Sequence, residues 1–185
     1  MTSKEILMLE ASGKFRDEAH DSINQVRKYT GIPYKNHPRQ VRETVLEYGG
    51  DVIQAIVADN HDVLEDVFPL NPFYSPERIG ELFGKEVQSG VAYLTNVFTR
   101  ANYPNWNRKT RHEAEAKRLG TIPARYATVK LADIKCNTAD ILVEDPEFAK
   151  VYLREKLGEI NYLLHGDSRL WLDTCTQIEK GLRSL

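Results

Sequence analysis

The chain has 185 residues, of which 41% are hydrophobic and 28% charged, a composition that suits one compact domain and excludes a low-complexity chain. With 25 Lys and Arg against 27 Asp and Glu the formal charge is −2, so no global basic field marks a nucleic-acid binder. Cys136 and Cys175 stand outside any CxxC pair and no run of about 18 apolar residues occurs, so the expectation is a cytoplasmic protein without disulfide framework, thiolate zinc or membrane span.

Helical periodicity dominates from the start. Met8, Leu9, Phe15, Ala19, Ile23 and Val26 recur at spacings of three and four and predict a first helix over Ile6 to Lys28, ending before the turn Thr30-Gly31-Ile32-Pro33. Asn36, ahead of His37-Pro38, reads as the N-cap of a second helix that Gly49-Gly50 stops. Asp51 then caps a third segment from Val52 to Asp66. Two prolines make Phe68 to Tyr74 a loop, Ser75-Pro76 opens a further helix, and Gly84 separates that helix from Lys85 to Thr99. A polar loop from Asn102 to Asn107 leads into Arg108–Leu119. Pro123 opens Ala124–Val143, Asp145-Pro146 opens a helix to about His165, and Gly166-Asp167-Ser168 precedes a last helix through Ile178. The fold class is all-α, a single domain of about eight or nine helices.

The third segment carries an unusual run, Asn60-His61-Asp62-Val63-Leu64-Glu65-Asp66. At about 100° per residue His61, Asp62, Glu65 and Asp66 share one face of a helix. Burying four ionisable groups together calls for a partner, and a divalent metal neutralises carboxylates while accepting imidazole nitrogen. The alternative is an exposed polar stripe at a helix end.

Three stretches in register carry a family resemblance. Arg27-Lys28-Tyr29-Thr30-Gly31-Ile32-Pro33-Tyr34-Lys35-Asn36-His37-Pro38, then His61-Asp62-Val63-Leu64-Glu65-Asp66, then Val129-Lys130-Leu131-Ala132-Asp133-Ile134-Lys135-Cys136-Asn137-Thr138 resemble the hydrolase domain of RelA/SpoT-type alarmone enzymes, an HD-superfamily domain. The resemblance covers about residues 15 to 140 and is closest to the stand-alone small hydrolases, the group that includes the metazoan SpoT homologue. It implies one HD domain over residues 1–185; the helices of 146–185 lie beyond the resemblance, and their apolar stripes read as closing the core or making a homo-oligomer contact. It also implies that His37, His61, Asp62 and Asp133 bind a metal, manganese in this family, and that Glu65 and Asp66 orient and deprotonate the attacking water. By ligand chemistry alone, two imidazoles and two carboxylates suit a first-row divalent ion without choosing among Mn, Fe, Co and Zn.

For the substrate, Arg27 and Lys28 match the family's basic pair, and Asn137 matches an Asn four residues after the metal-binding Asp. Lys130 and Asn137 lie one helical turn either side of Asp133 and so share its face, as nucleotide contacts. Arg108 and Lys109 fall in a stretch resembling the one that reaches the distal diphosphate, against the alternative of a solvated helix face. Tyr34 bounds the nucleobase pocket or packs its loop. His20 reads as a hydrogen-bonded core histidine, His112 and His165 as surface residues, and Trp106 as loop packing. Two departures stand out: Ala58-Asp59-Asn60 occupies a place where the family has small apolar residues, so Asp59 must point outward or find a partner, and no basic residue follows Asn137.

The expected function is metal-dependent hydrolysis of the small-molecule nucleotide (p)ppGpp to GDP or GTP and pyrophosphate. The alternatives are another nucleotide phosphohydrolase on the same site, acting on the NADPH 2′-phosphate or on a deoxynucleotide, and a non-catalytic nucleotide sensor. No GxxxxGK[ST] pattern occurs, and alarmone synthesis is not expected.

Overall fold

The computed structural model describes residues 1–28 and 30–185; Tyr29, inside the first quoted stretch, lies outside them. Among the described residues the regular structure is helical, and one isolated antiparallel bridge joins Val26 to Pro33. No described helix is long and apolar enough to cross a membrane. The chain divides into two compact units, Met1–Thr95 and Asn96–Leu185.

In the first unit, α1 (Ser3–Ser22) begins at a capping box in which Thr2 Oγ1 accepts from the Glu5 amide and the Glu5 carboxylate accepts from the Thr2 amide. It ends before the expected Lys28. Ser22 donates to the Ala19 carbonyl, and Asn24 takes φ 50°, a left-handed value that Asn tolerates better than most residues. Residues 25–28, expected to continue the helix, instead leave it, and Val26 bridges to Pro33. Helix α2 (Asn36–Glu47) includes Asn36 as a helical residue, so the cap position falls on Lys35, whose side chain makes no cap bond. The turn after α2 needs glycine: a Cβ on Gly50 would lie 2.4 Å from Val45 Cγ1.

Helix α3 (Val52–Asn60) starts from a second capping box, Asp51 with Gln54, as its sequence predicts. It packs on α1, α2 and α5 (Lys85–Leu94) and is buried on every side from Gln54 to Asn60. A helix apolar nearly all round belongs in a core. The predicted run to Asp66 is broken after Asn60. The Asn60 side chain donates to the Ile56 carbonyl, and Val63–Val67 forms a single π-helical turn with the Phe68 amide on the Val63 carbonyl. Ser75 caps α4 (Pro76–Phe83) as expected, and Gly84, at φ 92°, makes the corner to α5. Helix α5 stops at Leu94, short of the expected Thr99, because Thr95 turns extended and its hydroxyl bonds back to the Val91 carbonyl. Phe15 closes the interior edge-to-face on Tyr74 at 5.1 Å and on Phe83 at 5.6 Å.

In the second unit, α6 (Arg108–Leu119) is capped by Asn107, and α7 (Ala124–Glu144) is its longest helix. Helix α8 (Pro146–Ile160), capped by Asp145, and α9 (Ser168–Ser184), capped by Asp167, both pack on α7 and on each other, while α6 lies on α8. Helix α8 gives way after Ile160 to a 3-10 turn, Asn161–Leu163, rather than continuing to His165, and α9 runs past Ile178 to Ser184. Leu131, Ile134, Leu153, Ile160, Leu163, Leu170 and Ile178 are fully buried. Trp106 packs its loop as expected, stacked on Phe98 at 5.8 Å.

Candidate metal centre

His37 sits in the first turn of α2, where Pro38 costs no hydrogen bond, and His61 and Asp62 follow directly on the end of α3. Helices α2 and α3 pack together, so the two imidazoles meet. Both are buried, their rings are 5.4 Å apart, and their ligand nitrogens lie within 4.8 Å of each other. Asp62 Oδ2 stands 3.0 Å from His61 Nε2 and 3.9 Å from His37 Nε2.

His61 Nδ1 lies 2.8 Å from the Ala58 carbonyl, so that nitrogen carries a proton and donates. In the neutral ring Nε2 then presents its lone pair to the Asp62 carboxylate. Two lone pairs at that separation repel unless a cation stands between them, and the cation is a proton or a metal ion. Two imidazole nitrogens and a carboxylate oxygen, oriented by an outer hydrogen bond, are a donor set for a first-row divalent ion. These residues fit a metal, and His37 and His61 belong to a His/Asp group that could hold one.

Gln25 and Tyr34, on either side of the Val26–Pro33 bridge, both support this centre. Tyr34 donates its hydroxyl to Asp62 Oδ2 at 2.7 Å, and its ring lies against His20 and His37. Gln25 donates to Asp66 Oδ2 at 2.8 Å, while its Oε1 lies 2.6 Å from His20 Nδ1. His20 is buried and hydrogen-bonded as expected, and burial pushes its pKa down against the help of the Gln25 bond. Gln25 was not picked out by its sequence pattern; its only signal is its place just before the Arg27-Lys28 pair.

Burial first, and the Asp62 charge second, push the Asp66 carboxyl up to about 7, against the Gln25 hydrogen bond. Glu65 is half-buried on the same turn. Val63, Leu64 and Val67 are buried beside them, and the charges of Asp62, Glu65 and His61 all act on Asp66 although the helix is interrupted. Arg27 lies over the Tyr34 ring at 5.9 Å, and Lys28 is exposed.

In the second unit Asp133 is buried on α7. Its Oδ2 accepts from Lys130 Nζ at 2.8 Å and its Oδ1 from Asn137 Nδ2 at 2.6 Å, so the three residues share the face their spacing predicts. Arg108 grips Glu155 with both arms of its guanidinium, at 2.9 and 2.8 Å, and lies over the Phe148 ring. That hydrogen bond, first among several causes, holds Glu155 below the usual carboxylate range. Lys109 projects into solvent with Nζ 3.9 Å from Glu113. His112 is half-buried near Glu155, and exposed His165 meets the Ile122 carbonyl at 2.9 Å.

No family model matches the chain. It is 33% identical over 141 residues to a protein of Synechocystis sp. described as a probable guanosine-3′,5′-bis(diphosphate) 3′-pyrophosphohydrolase, an alignment covering 74% of this chain. The chain spans only 17% of that relative's length. In fold it is similar to the metazoan SpoT orthologue described as hydrolysing ppGpp with a role in starvation responses, with a TM-score of 0.78 at 22% identity over 95% of this chain and 96% of that one. It is also similar to a Listeria monocytogenes EGD-e protein, with a TM-score of 0.62 at 18% identity over 84% of this chain and 99% of that one. The chain shares the fold of both, and its sequence is similar to a part of the probable pyrophosphohydrolase.

Proposed function

We propose that the chain is a metal-dependent phosphohydrolase that cleaves the 3′-diphosphate of (p)ppGpp, giving GDP or GTP and pyrophosphate. The observation that carries this is the cluster of buried His37 and His61 with half-buried Asp62, one imidazole tautomer being set by the Ala58 carbonyl. The sequence relationship to a probable pyrophosphohydrolase supports ppGpp over other phosphate esters, which the cluster alone does not distinguish. In this reading Asp133 joins His37, His61 and Asp62 as a ligand, and manganese is the ion. A divalent ion held there supplies Lewis-acid neutralisation of phosphate charge and acidifies a water.

The chain's own residues do the rest. Asp66, with a pKa near neutrality and one oxygen held by Gln25, takes the proton from the attacking water, and Glu65 orients that water. Tyr34 keeps Asp62 in place and bounds the nucleobase. Lys130 and Asn137 hold Asp133 and contact the nucleotide. Arg27, Lys28, Arg108 and Lys109 meet the charge of the departing diphosphate, Arg108 by exchanging Glu155 for phosphate. Cys136 and Cys175 form no disulfide, which fits the cytoplasm as the place of action.

The test is manganese-dependent turnover on ppGpp, NADPH and a panel of deoxynucleoside triphosphates, with metal content measured alongside. Hydrolysis of ppGpp with release of pyrophosphate is expected, and Asp62→Ala should lose both metal and turnover. Turnover of NADPH or a deoxynucleotide with ppGpp untouched overturns the substrate, and unchanged metal content in Asp62→Ala overturns the site.

A further inference from the structure

Helix α3 delivers His61 and Asp62, yet its interior residues Ala55, Ile56, Val57 and Ala58 are all fully buried. A helix without a wet face has no amphipathic pattern to choose its rotation about its own axis, and at 100° per residue a small rotation swings the next side chains away from their targets. The polar groups of its last turn must therefore choose it, and they are Asp59 and Asn60, since Gln54 is engaged in the capping box at the other end. Both are fully buried.

Asp59 Oδ1 accepts from Arg16 Nη1, and Arg16 is itself 2% exposed. Asp59 Oδ2 accepts from Ser12 Oγ at 3.0 Å and from Arg42 Nη1 at 3.4 Å. Asn60 Nδ2 donates to Ser12 Oγ at 3.0 Å, so the same hydroxyl ties the last two residues of α3 to α1. Gly13 leaves the room for this: a Cβ there would lie 3.2 Å from Arg42 Nη1. A buried ion pair is a poor source of stability, because desolvating both ions offsets their attraction, and apolar replacements of both partners are often neutral or stabilising. What such a pair adds is one permitted arrangement.

We propose that the Arg16–Asp59 pair, with Ser12, Arg42 and Asn60, is a positioning device that fixes the rotation of α3 and so aims His61 and Asp62 at the metal. This rests on the metal-site reading above.

The full chain is titrated with Mn²⁺ alone by calorimetry, with the thermal midpoint measured in parallel, for the parent, for Ser12→Ala, for Ser12→Thr and for the double replacement Arg16→Met with Asp59→Leu. The double variant is expected to keep or raise the midpoint while binding Mn²⁺ about 10- to 100-fold more weakly. Ser12→Ala should weaken binding about tenfold with little change in midpoint, and Ser12→Thr should recover it. A folded variant of either kind that binds Mn²⁺ as tightly as the parent overturns the inference; should the double variant not fold, Ser12→Ala decides it alone. A parent that binds no Mn²⁺ overturns the metal-site reading and this one together, which separates the two failures.

Discussion

Tyr34 shows how one atom separates two roles. Its ring lies against His20 and His37, whereas its hydroxyl reaches Asp62 Oδ2 at 2.7 Å. The sequence supported a wall for the nucleobase or a loop-packing ring, because an aromatic beside a Gly-x-Pro turn carries no sign of where its hydroxyl will point. Tyr34→Phe keeps the ring and removes the bond. The expected result is about tenfold weaker metal binding, as for other outer groups that orient a ligand, with a stability loss of about 1 kcal/mol. Metal titration beside the Michaelis constant for ppGpp checks it: a raised Michaelis constant with unchanged metal affinity would leave Tyr34 a pocket wall only. The same contrast holds for the proposed metal ligands. His61 and Asp62 were legible because four ionisable groups crowd an apolar run, but the Ala58 carbonyl that sets the His61 tautomer is backbone, and no side-chain pattern reports it.

At the scale of elements, helix starts were the most legible feature, since a cap is a local event written in one or two residues. Asp51, Ser75 and Asp145 each accept the amide bond their position predicts. Helix ends were less legible. Asn24 at φ 50° ends α1 early, and the π turn follows Asn60, whose side chain bonds both the Ile56 carbonyl and Ser12 of α1, the latter a long-range contact that periodicity does not register. Helix α8 also holds a pair that its sequence spacing offers but does not weigh. Lys156 Nζ meets Glu159 Oε2 at 2.6 Å, with both side chains nearly buried. Burial pushes Glu159 up, but the charges of Lys156 and Lys130 outweigh it and leave the carboxyl below its ordinary 4.5. A carboxyl lower in the folded than in the unfolded chain contributes stability that is full above about pH 4.5 and is lost as pH falls through the folded value. Glu159→Gln should therefore flatten the acid limb of the stability profile. It should also cost about 3–5 kcal/mol at neutral pH, because Lys156 is left buried without its carboxylate. Urea midpoints from pH 3 to 7 read both effects, and an unchanged acid limb would remove the pair from the acid response.

For the whole molecule, a formal charge of −2 describes an average and conceals where charge is concentrated. Asp62, Glu65 and Asp66 lie within five residues beside two buried imidazoles, and burial first and the Asp62 charge second already push the Asp66 carboxyl up to about 7. Such a cluster carries a standing electrostatic cost in the metal-free chain, which a divalent cation relieves in the folded state alone, since the unfolded chain does not bring His37 to His61. Binding to the native state stabilises by an amount set by concentration over dissociation constant, about 2.7 kcal/mol at a hundredfold excess. For a chain of this length that is a rise of roughly 5–10 °C in thermal midpoint. Manganese at that excess should produce the rise, EDTA should reverse it, and His61→Ala should show neither change, all read by calorimetry on the full chain. Asp133→Asn then decides the ligand set. A diminished rise assigns Asp133 as the fourth ligand, an undiminished one limits the set to His37, His61 and Asp62, and a parent midpoint indifferent to both manganese and EDTA removes the metal from the proposed function.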